Sequence, residues 1–503
     1  MSKNLIIKGA LILTLANIIT RILGFIYRIY MSNLIGAEGM GLYQLIMPVY
    51  MLAWSISSSG FSTTISKLVS EENSKREYGN IRRILSICIF LSGLIACLIS
   101  ILVFIFSPYI ANNIFKNENT LLSLHIMCIA FPFMAIGSCI RGYFLGMQDT
   151  IVPAISQVLE QVSRMIVIYL LASVFIPLGL SYACALGVIG ICIGEIFAFL
   201  YVFMIYNTKI NKIKKSNISI IKYTTIILSM ALPLTANRVL GSFLSTIENI
   251  LIPQKLIEYG YTNTEAMSLY GQLSGMSMPL IMFPSSLLTA LAITIVPAIS
   301  EALAKNNINL IKVTISKAFN ITSIICLGSL GIFTFFSSEL GTTIYSQEDI
   351  GWQLLYIGFL CPLIYYHVIF SGILNGLGEQ LLIFKNSIIS SIINICFIYF
   401  LIPKYSLFAF IIGWFLSLVV VNLISLIKLK NKTNFNINLF NDIFKPLLCV
   451  ISSSIISKYL YNIFINIYNN IICLIVSLFI FSIIYFILLI LVGALNKKDL
   501  RFF

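Results

Sequence analysis

The sequence predicts an all-α integral membrane protein of about 14 transmembrane helices. Composition points there first: of 503 residues, 59% are hydrophobic and 10% charged, with mean hydropathy +0.98, whereas soluble domains carry roughly 25% charge. Apolar runs long enough for the ~20 residues that span a bilayer follow one another with only short polar loops. The loops then alternate between rich and poor in Lys and Arg, as cytoplasmic and external loops do.

Taken in order, the expected spans lie near 6–30, 42–66, 84–106, 121–140, 153–177, 181–206, 223–252, 270–299, 318–336, 352–375, 386–402, 405–427, 446–465 and 471–495. The first opens like a signal peptide, but it lacks a small-residue cleavage site and stays apolar past Tyr30, so it reads as an uncleaved span. Span 2 holds "SISSSGFSTTIS" (55–66), which suits either a polar cavity wall or close helix packing. Pro48 in span 2 and Pro279 and Pro284 in span 8 predict bends. The stretch "NTKINKIKKSNISIIK" (207–222) reads as a basic linker lying on anionic lipid.

With the N-terminus inside, 24 of the 32 Lys and Arg fall on inner segments and four on outer ones (Lys116, Lys255, Lys404, Lys458). The remaining four, Arg21, Arg28, Arg164 and Arg238, lie within spans. Both termini are therefore expected in the cytoplasm. The net charge of +14 is accounted for by topology, which removes the reason to expect a nucleic-acid partner. Eleven Cys are scattered singly with no CxxC and no Cys/His cluster, so they read as core residues, with no metal site and no cofactor.

The chain also repeats itself. "RGYFLGMQD" (141–149) aligns with "SGILNGLGE" (371–379), so Gly142 and Gly372, Gly146 and Gly376, Asp149 and Glu379, and Pro132 and Pro362 each differ by 230. "EGMGLY" (38–43) faces "EAMSLY" (265–270) at an offset of 227. Six spans per copy give both copies the same orientation, so they are parallel repeats with a site expected between them. The expected organisation is residues 1–215 for spans 1–6, 216–430 for spans 7–12, and 431–503 for spans 13–14 and the tail.

Several stretches resemble a known family: "KGALILTLANIITRILGFIYRI" (8–29), "IGAEGMGLYQLIMP" (35–48), "ISKLVSEE" (65–72), "IRGYFLGMQDTIVPAISQVLEQVSR" (140–164) and "IVPAISEAL" (295–303). Together the chain is similar to the multidrug/oligosaccharidyl-lipid/polysaccharide flippase superfamily, in its lipid II flippase branch with the sporulation members. The resemblance implies two six-helix lobes packed as a V around a cavity, with alternating access. It implies a polyprenyl diphosphate carrying a sugar or peptidoglycan unit as substrate, and in sporulation members a precursor of the spore cortex. Membrane lipids are the other expected partners, Na+ or H+ are both open as coupling ion, and the oligomeric state is open.

The intramembrane charges are the candidate site. Arg21 and Arg28 are seven residues apart, nearly two helical turns or ~10 Å along one face, and Asn17 and Gly24 share that stripe. An arginine facing a cavity suits a diphosphate, because its fork donates two parallel hydrogen bonds and stays charged. The first-helix Arg followed by "LGF" also looks like the substrate-binding Arg of lipid II flippases. The competing readings are a structural pair with a buried Glu for Arg21, and snorkelling to the outer interface for Arg28. Arg238 in span 7 reads as the partner of Arg21 from the second repeat. Gln157, Glu160, Gln161 and Arg164 form an i, i+3, i+4, i+7 stripe on span 5, either an internal ion pair or a cavity wall with a coupling role. Glu248 on span 7, ten residues from Arg238, lies on a different face and is grouped with the cavity candidates, while Glu195 and His367 are weaker ones. Span 8 carries Gln272 where the better-known lipid II flippases carry a charged pair. The rival readings are an exporter of another lipid-linked oligosaccharide and a multidrug and toxin extrusion-type antiporter. A membrane enzyme is disfavoured, because no polar loop carries a base or an acidic cluster.

Overall fold

In a chain this apolar every backbone N–H and C=O has to be satisfied within its own segment, and helices are the way to do it. In the computed structural model, which describes residues 3–210, 220–433, 435 and 438–495, no strand is found among the described residues. The helices are α1 (Lys3–Trp54), α2 (Gly60–Ser74), α3 (Tyr78–Tyr109), α4 (Leu121–Gly146), α5 (Ile151–Phe175), α6 (Leu180–Ile210), α7 (Ile220–Tyr259) and α8 (Asn263–Gly271). They continue as α9 (Met278–Ala304), α10 (Ile308–Phe335), α11 (Ser337–Tyr345), α12 (Asp349–Gly358), α13 (Cys361–Gly376), α14 (Gln380–Tyr405), α15 (Leu407–Thr433), α16 (Lys445–Phe464) and α17 (Asn470–Leu491). Most of the basic linker expected over 207–222 lies outside the described residues, as do Lys497, Lys498 and Arg501 of the tail.

Twelve of these helical stretches are long and apolar enough to cross a membrane, or thirteen when α12 and α13, bent by 51°, count as one span. The expected number was fourteen. The difference sits at spans 1 and 2, which form one continuous 63-residue stretch, Ile12–Ser74. That stretch is broken at Gly36, whose φ of +71° and ψ of −177° are not helical. A straight helix of that length would reach ~95 Å, three times the hydrocarbon thickness. The lipid-facing surface is legible on α3, where Phe90, Leu94, Leu98, Ile101 and Ile105 are all exposed.

The chain packs as two compact units, Met1–Gly271 and Gln272–Phe503. The repeat and the packing divide it at different places, because α7 and α8 are tied into the first unit. Asn263 Nδ2 donates to the Lys116 carbonyl at 2.8 Å and its Oδ1 accepts from Asn117 at 3.2 Å. The first unit also encloses a core of Phe61, Ile65, Val69, Ile84, Ile140, Tyr143 and Phe144 among α2, α3 and α4. In the second unit, α16 and α17 pack on α10. Tyr485 donates to the Ile324 carbonyl at 2.9 Å, and Lys458, counted above with the outer segments, instead lies within the span on α16 and donates to the Phe335 carbonyl at 2.8 Å.

The repeat is visible as atomic packing. A Cβ at Gly142 would lie 2.6 Å from the Ser62 carbonyl oxygen, and one at Gly372 would lie 2.7 Å from the Ala292 Cβ. At Gly146 it would meet the Ser66 carbonyl oxygen and Val69, and at Gly376 the Val296 carbonyl oxygen and Ile299. Ser62, Ser66 and Val69 stand 230 residues before Ala292, Val296 and Ile299. So α4 lies against α2 as α13 lies against α9. Three turns repeat too: Arg76 and Asn306, Lys116 and Ser346, and Gln148 and Gly378 all have positive φ and are 230 residues apart. Next to the last of these turns the acids recur in the same role. Asp149 pairs with Lys209 on α6, and Glu379 pairs with Lys432 at 2.6 Å and Lys428 at 3.3 Å on α15.

Candidate functional site

The first unit holds intramembrane arginines in two different conditions. One group is buried and paired. Glu160 and Arg164, one turn apart on α5, form an ion pair at 2.8 Å with both side chains largely buried. Arg164 also lies over the Tyr27 ring at 5.8 Å. Beside them, Tyr50 donates to Glu195 Oε1 on α6 at 2.6 Å, and Glu195 Oε2 lies 4.0 Å from Arg141 on α4. Glu160 is within electrostatic reach of Glu195 and Arg141. Two carboxylates and two guanidiniums thus meet among α1, α4, α5 and α6, balanced in charge, as buried ions must be.

Close helix approach makes this network possible. A Cβ at Gly190 would lie 2.4 Å from Ile168 and 3.2 Å from the Arg164 stem, and one at Gly194 would lie 2.9 Å from the Glu160 carbonyl oxygen. Gly187, Gly190 and Gly194 fall on one helical face, a small-residue signal for close packing of α6 on α5 and, at Gly187, on Tyr43 and Met31 of α1. Arg141 and Tyr50 had no such signal. Arg141 was counted above with the loop charges, yet it lies inside α4 with its side chain mostly buried. Gln157 and Gln161 are half-buried, and neither Oε1 atom accepts a hydrogen bond among the described residues.

The other group consists of Arg21, Arg28 and Arg238. Among the described residues none of them forms an ion pair with a carboxylate. Asn17 and Arg21 are exposed on α1 and Arg28 is half-buried. Gly24, on the same stripe, has no atom within 4 Å of where its Cβ would be, so that face of α1 is open. Arg238 on α7 is exposed too, and its guanidinium lies 5.7 Å from the centre of the Trp54 ring. Gly241, three residues on, is equally open. Glu248 is half-buried farther along α7.

The serine-rich stretch of span 2 turns out to be a packing element. Ser55–Ser59 is a π-helical turn whose serines 55, 57, 58 and 59 are buried. The Ser57 carbonyl accepts from Ser92 on α3 at 2.6 Å, and Ser55 Oγ meets Ser242 Oγ on α7 at 2.5 Å. In the second unit a π-helical turn at Gln272–Ser277 directly precedes α9, whose second residue is Pro279. Gln272 there accepts from Gln353 at 3.2 Å and donates to Gln347 at 2.9 Å, so it belongs to a buried amide network. His367 is half-buried on α13. Among the described residues no group of three or more His, Cys, Asp or Glu is placed to hold a metal ion.

The model of a family described as polysaccharide biosynthesis protein matches residues 6–303. The chain belongs to that family. It is 30% identical over 415 residues to stage V sporulation protein B of Bacillus subtilis (strain 168), covering 81% of this chain and 80% of that protein. It is 25% identical over 421 residues to lipid II flippase MurJ of the same organism, covering 78% and 75%. Among solved structures, lipid II flippase MurJ in an inward closed conformation shares the fold, with TM-score 0.72 and 17% identity over 95% of this chain and 98% of that one. This family member is a multi-pass membrane transporter of the flippase superfamily, and one of the relatives it resembles is named a lipid II flippase.

Proposed function

We propose that the chain moves a lipid-linked peptidoglycan precursor, a polyprenyl diphosphate bearing a sugar unit as in lipid II, across the cytoplasmic membrane, and that it does so for spore cortex synthesis. The supporting observation is the contrast between arginines. Arg141 and Arg164 have carboxylate partners, whereas Arg21, Arg28 and Arg238 lie on or near the surface without one among the described residues. A cation kept in a membrane segment is costly, by ~2.5–3.5 kcal/mol on insertion scales, and an anionic ligand is what repays it. In this reading Arg21 and Arg238 grip the diphosphate, with Asn17 and Arg28 beside Arg21 along the α1 stripe. Glu248, half-buried farther along α7, lines the cavity. The Glu160–Arg164 pair neutralises two charges inside the first repeat, and Gln157 lines the cavity beside it. Two six-span lobes, 1–215 and 216–430, alternate access, with both termini in the cytoplasm.

The names of the relatives support the substrate: two of them are a sporulation protein and a lipid II flippase. The test is translocation of lipid II by the purified chain in proteoliposomes, under Na+, H+ and no gradient, beside an organic cation as competitor. Lipid II movement that the cation leaves unaffected is the expected result. Cation transport without lipid II movement would refute the proposal in favour of an antiporter.

A further inference from the structure

One stripe of α7 lies against span 2. Ala231 and Thr235 meet Gly60, where an added Cβ would lie 2.5 Å from the Ala231 carbonyl oxygen and 2.1 Å from Thr235 Oγ1. Next on the stripe, Arg238 reaches over Trp54, and then Ser242 bonds Ser55. Positions 231, 235, 238 and 242 follow i, i+4, i+7, i+11, one helical face. Trp54 is the last residue of α1, and the π-helical turn beginning at Ser55 follows it directly. Such turns cluster at functional sites. Here the turn is anchored on both sides, by Ser92 at its Ser57 carbonyl and by Ser242 at its first serine. Trp54 therefore has a fixed backbone and a half-buried ring, with the Arg238 guanidinium over it.

A guanidinium held over a ring uses its face for that contact, while its N–H donors all lie in the guanidinium plane and stay available to an anion. We propose that Trp54 is a positioning residue: it holds Arg238 so that its donor edge meets the diphosphate of the substrate, and thereby favours diphosphate carriers over uncharged ones. This rests on the lipid-diphosphate reading above. It adds a residue, an aromatic platform, that the charge pattern alone does not reveal.

The test uses the full chain in nanodiscs with Trp352→Phe and Trp414→Phe, which leaves Trp54 as the only tryptophan, and farnesyl diphosphate and farnesol as probes. Farnesyl diphosphate is expected to bind and to change Trp54 emission saturably, and farnesol is not. Arg238→Gln should remove the emission change. In the chain with all three tryptophans, Trp54→Leu should weaken farnesyl diphosphate binding about 2- to 30-fold, the range of a cation–π contact, and Trp54→Phe should restore most of it. The inference is overturned if Trp54→Leu binds as wild type while Arg238→Gln is weakened, or if the probe binds without moving the emission. If wild type binds neither probe, the diphosphate reading itself fails. Should Leu at position 54 prevent folding, the emission response of the folded single-tryptophan chain decides.

Discussion

Arg164 and Arg238 are both arginines in membrane-spanning helices of the same compact unit, and they differ in almost every other respect. Arg164 is enclosed, with Glu160 at 2.8 Å and Tyr27 beneath it. Arg238 is exposed, lies over Trp54, and has no carboxylate partner among the described residues. The first arrangement pairs its charge with a carboxylate, although the buried Arg164 Nε has no hydrogen-bond partner among the described residues. The second leaves hydrogen-bond donors free. A membrane arginine is thus informative only together with its partners: a paired one is neutralised within the protein, and an unpaired one is open to a ligand.

The largest expected effect breaks the paired side. Arg164→Leu strands Glu160 and should cost about 3–5 kcal/mol of stability, whereas the double variant Glu160→Leu/Arg164→Leu should recover much of it. Thermal unfolding in detergent reads both. Arg21→Ala and Arg238→Ala, measured the same way, should stay within about 1 kcal/mol of wild type; a loss as large as that of Arg164→Leu would erase the distinction.

A smaller effect sharpens it through glycine. Gly60→Ala has to push α7 away from span 2 and should cost about 1–3 kcal/mol, as overpacking does. Gly24→Ala and Gly241→Ala have open space around the new methyl and should be neutral or stabilising by about 0.5–1 kcal/mol. If Gly24→Ala is instead strongly destabilising, the Arg21 face is not open.

The smallest effect belongs to a pair at the end of a span, between Glu379 in the turn after α13 and the last turns of α15. Hydrogen bonding from Lys432, with Lys428 beside it, holds the Glu379 carboxyl below the usual carboxylate range. Its contribution is therefore complete above the ordinary glutamate pKa of about 4.3 and fades as pH falls through the lowered value. Being near the surface it should amount to no more than about 1 kcal/mol, and salt should screen it. Comparing wild type with Glu379→Gln at neutral pH and near pH 3, at low and high salt, checks both statements.

Fold class, repeat and membrane charges were legible in the sequence because each leaves a periodic mark. Apolar run length marks the spans, and the 230-residue offset reappears as glycine contacts at Gly142 and Gly372. Gly36 was less visible, since one glycine between two apolar runs does not disclose that spans 1 and 2 continue into each other. At the site, the Glu160–Arg164 pair was readable from its one-turn spacing. The partnership of Glu195 with Tyr50 and Arg141 was not, because it joins residues 145 and 54 positions apart through tertiary packing alone. The serine stretch allowed two readings until its hydroxyls were seen bonded within and between helices. Trp54 under Arg238 had no sequence signature at all.

The central claim is that the unpaired arginines serve the substrate. It is tested most directly by lipid II translocation in proteoliposomes, with wild type, Arg21→Ala and Arg238→Ala reconstituted at equal amounts and each shown to be folded. The expected result is active wild type and transport reduced at least tenfold in both variants. Equal transport by all three would contradict the account and place the substrate grip elsewhere.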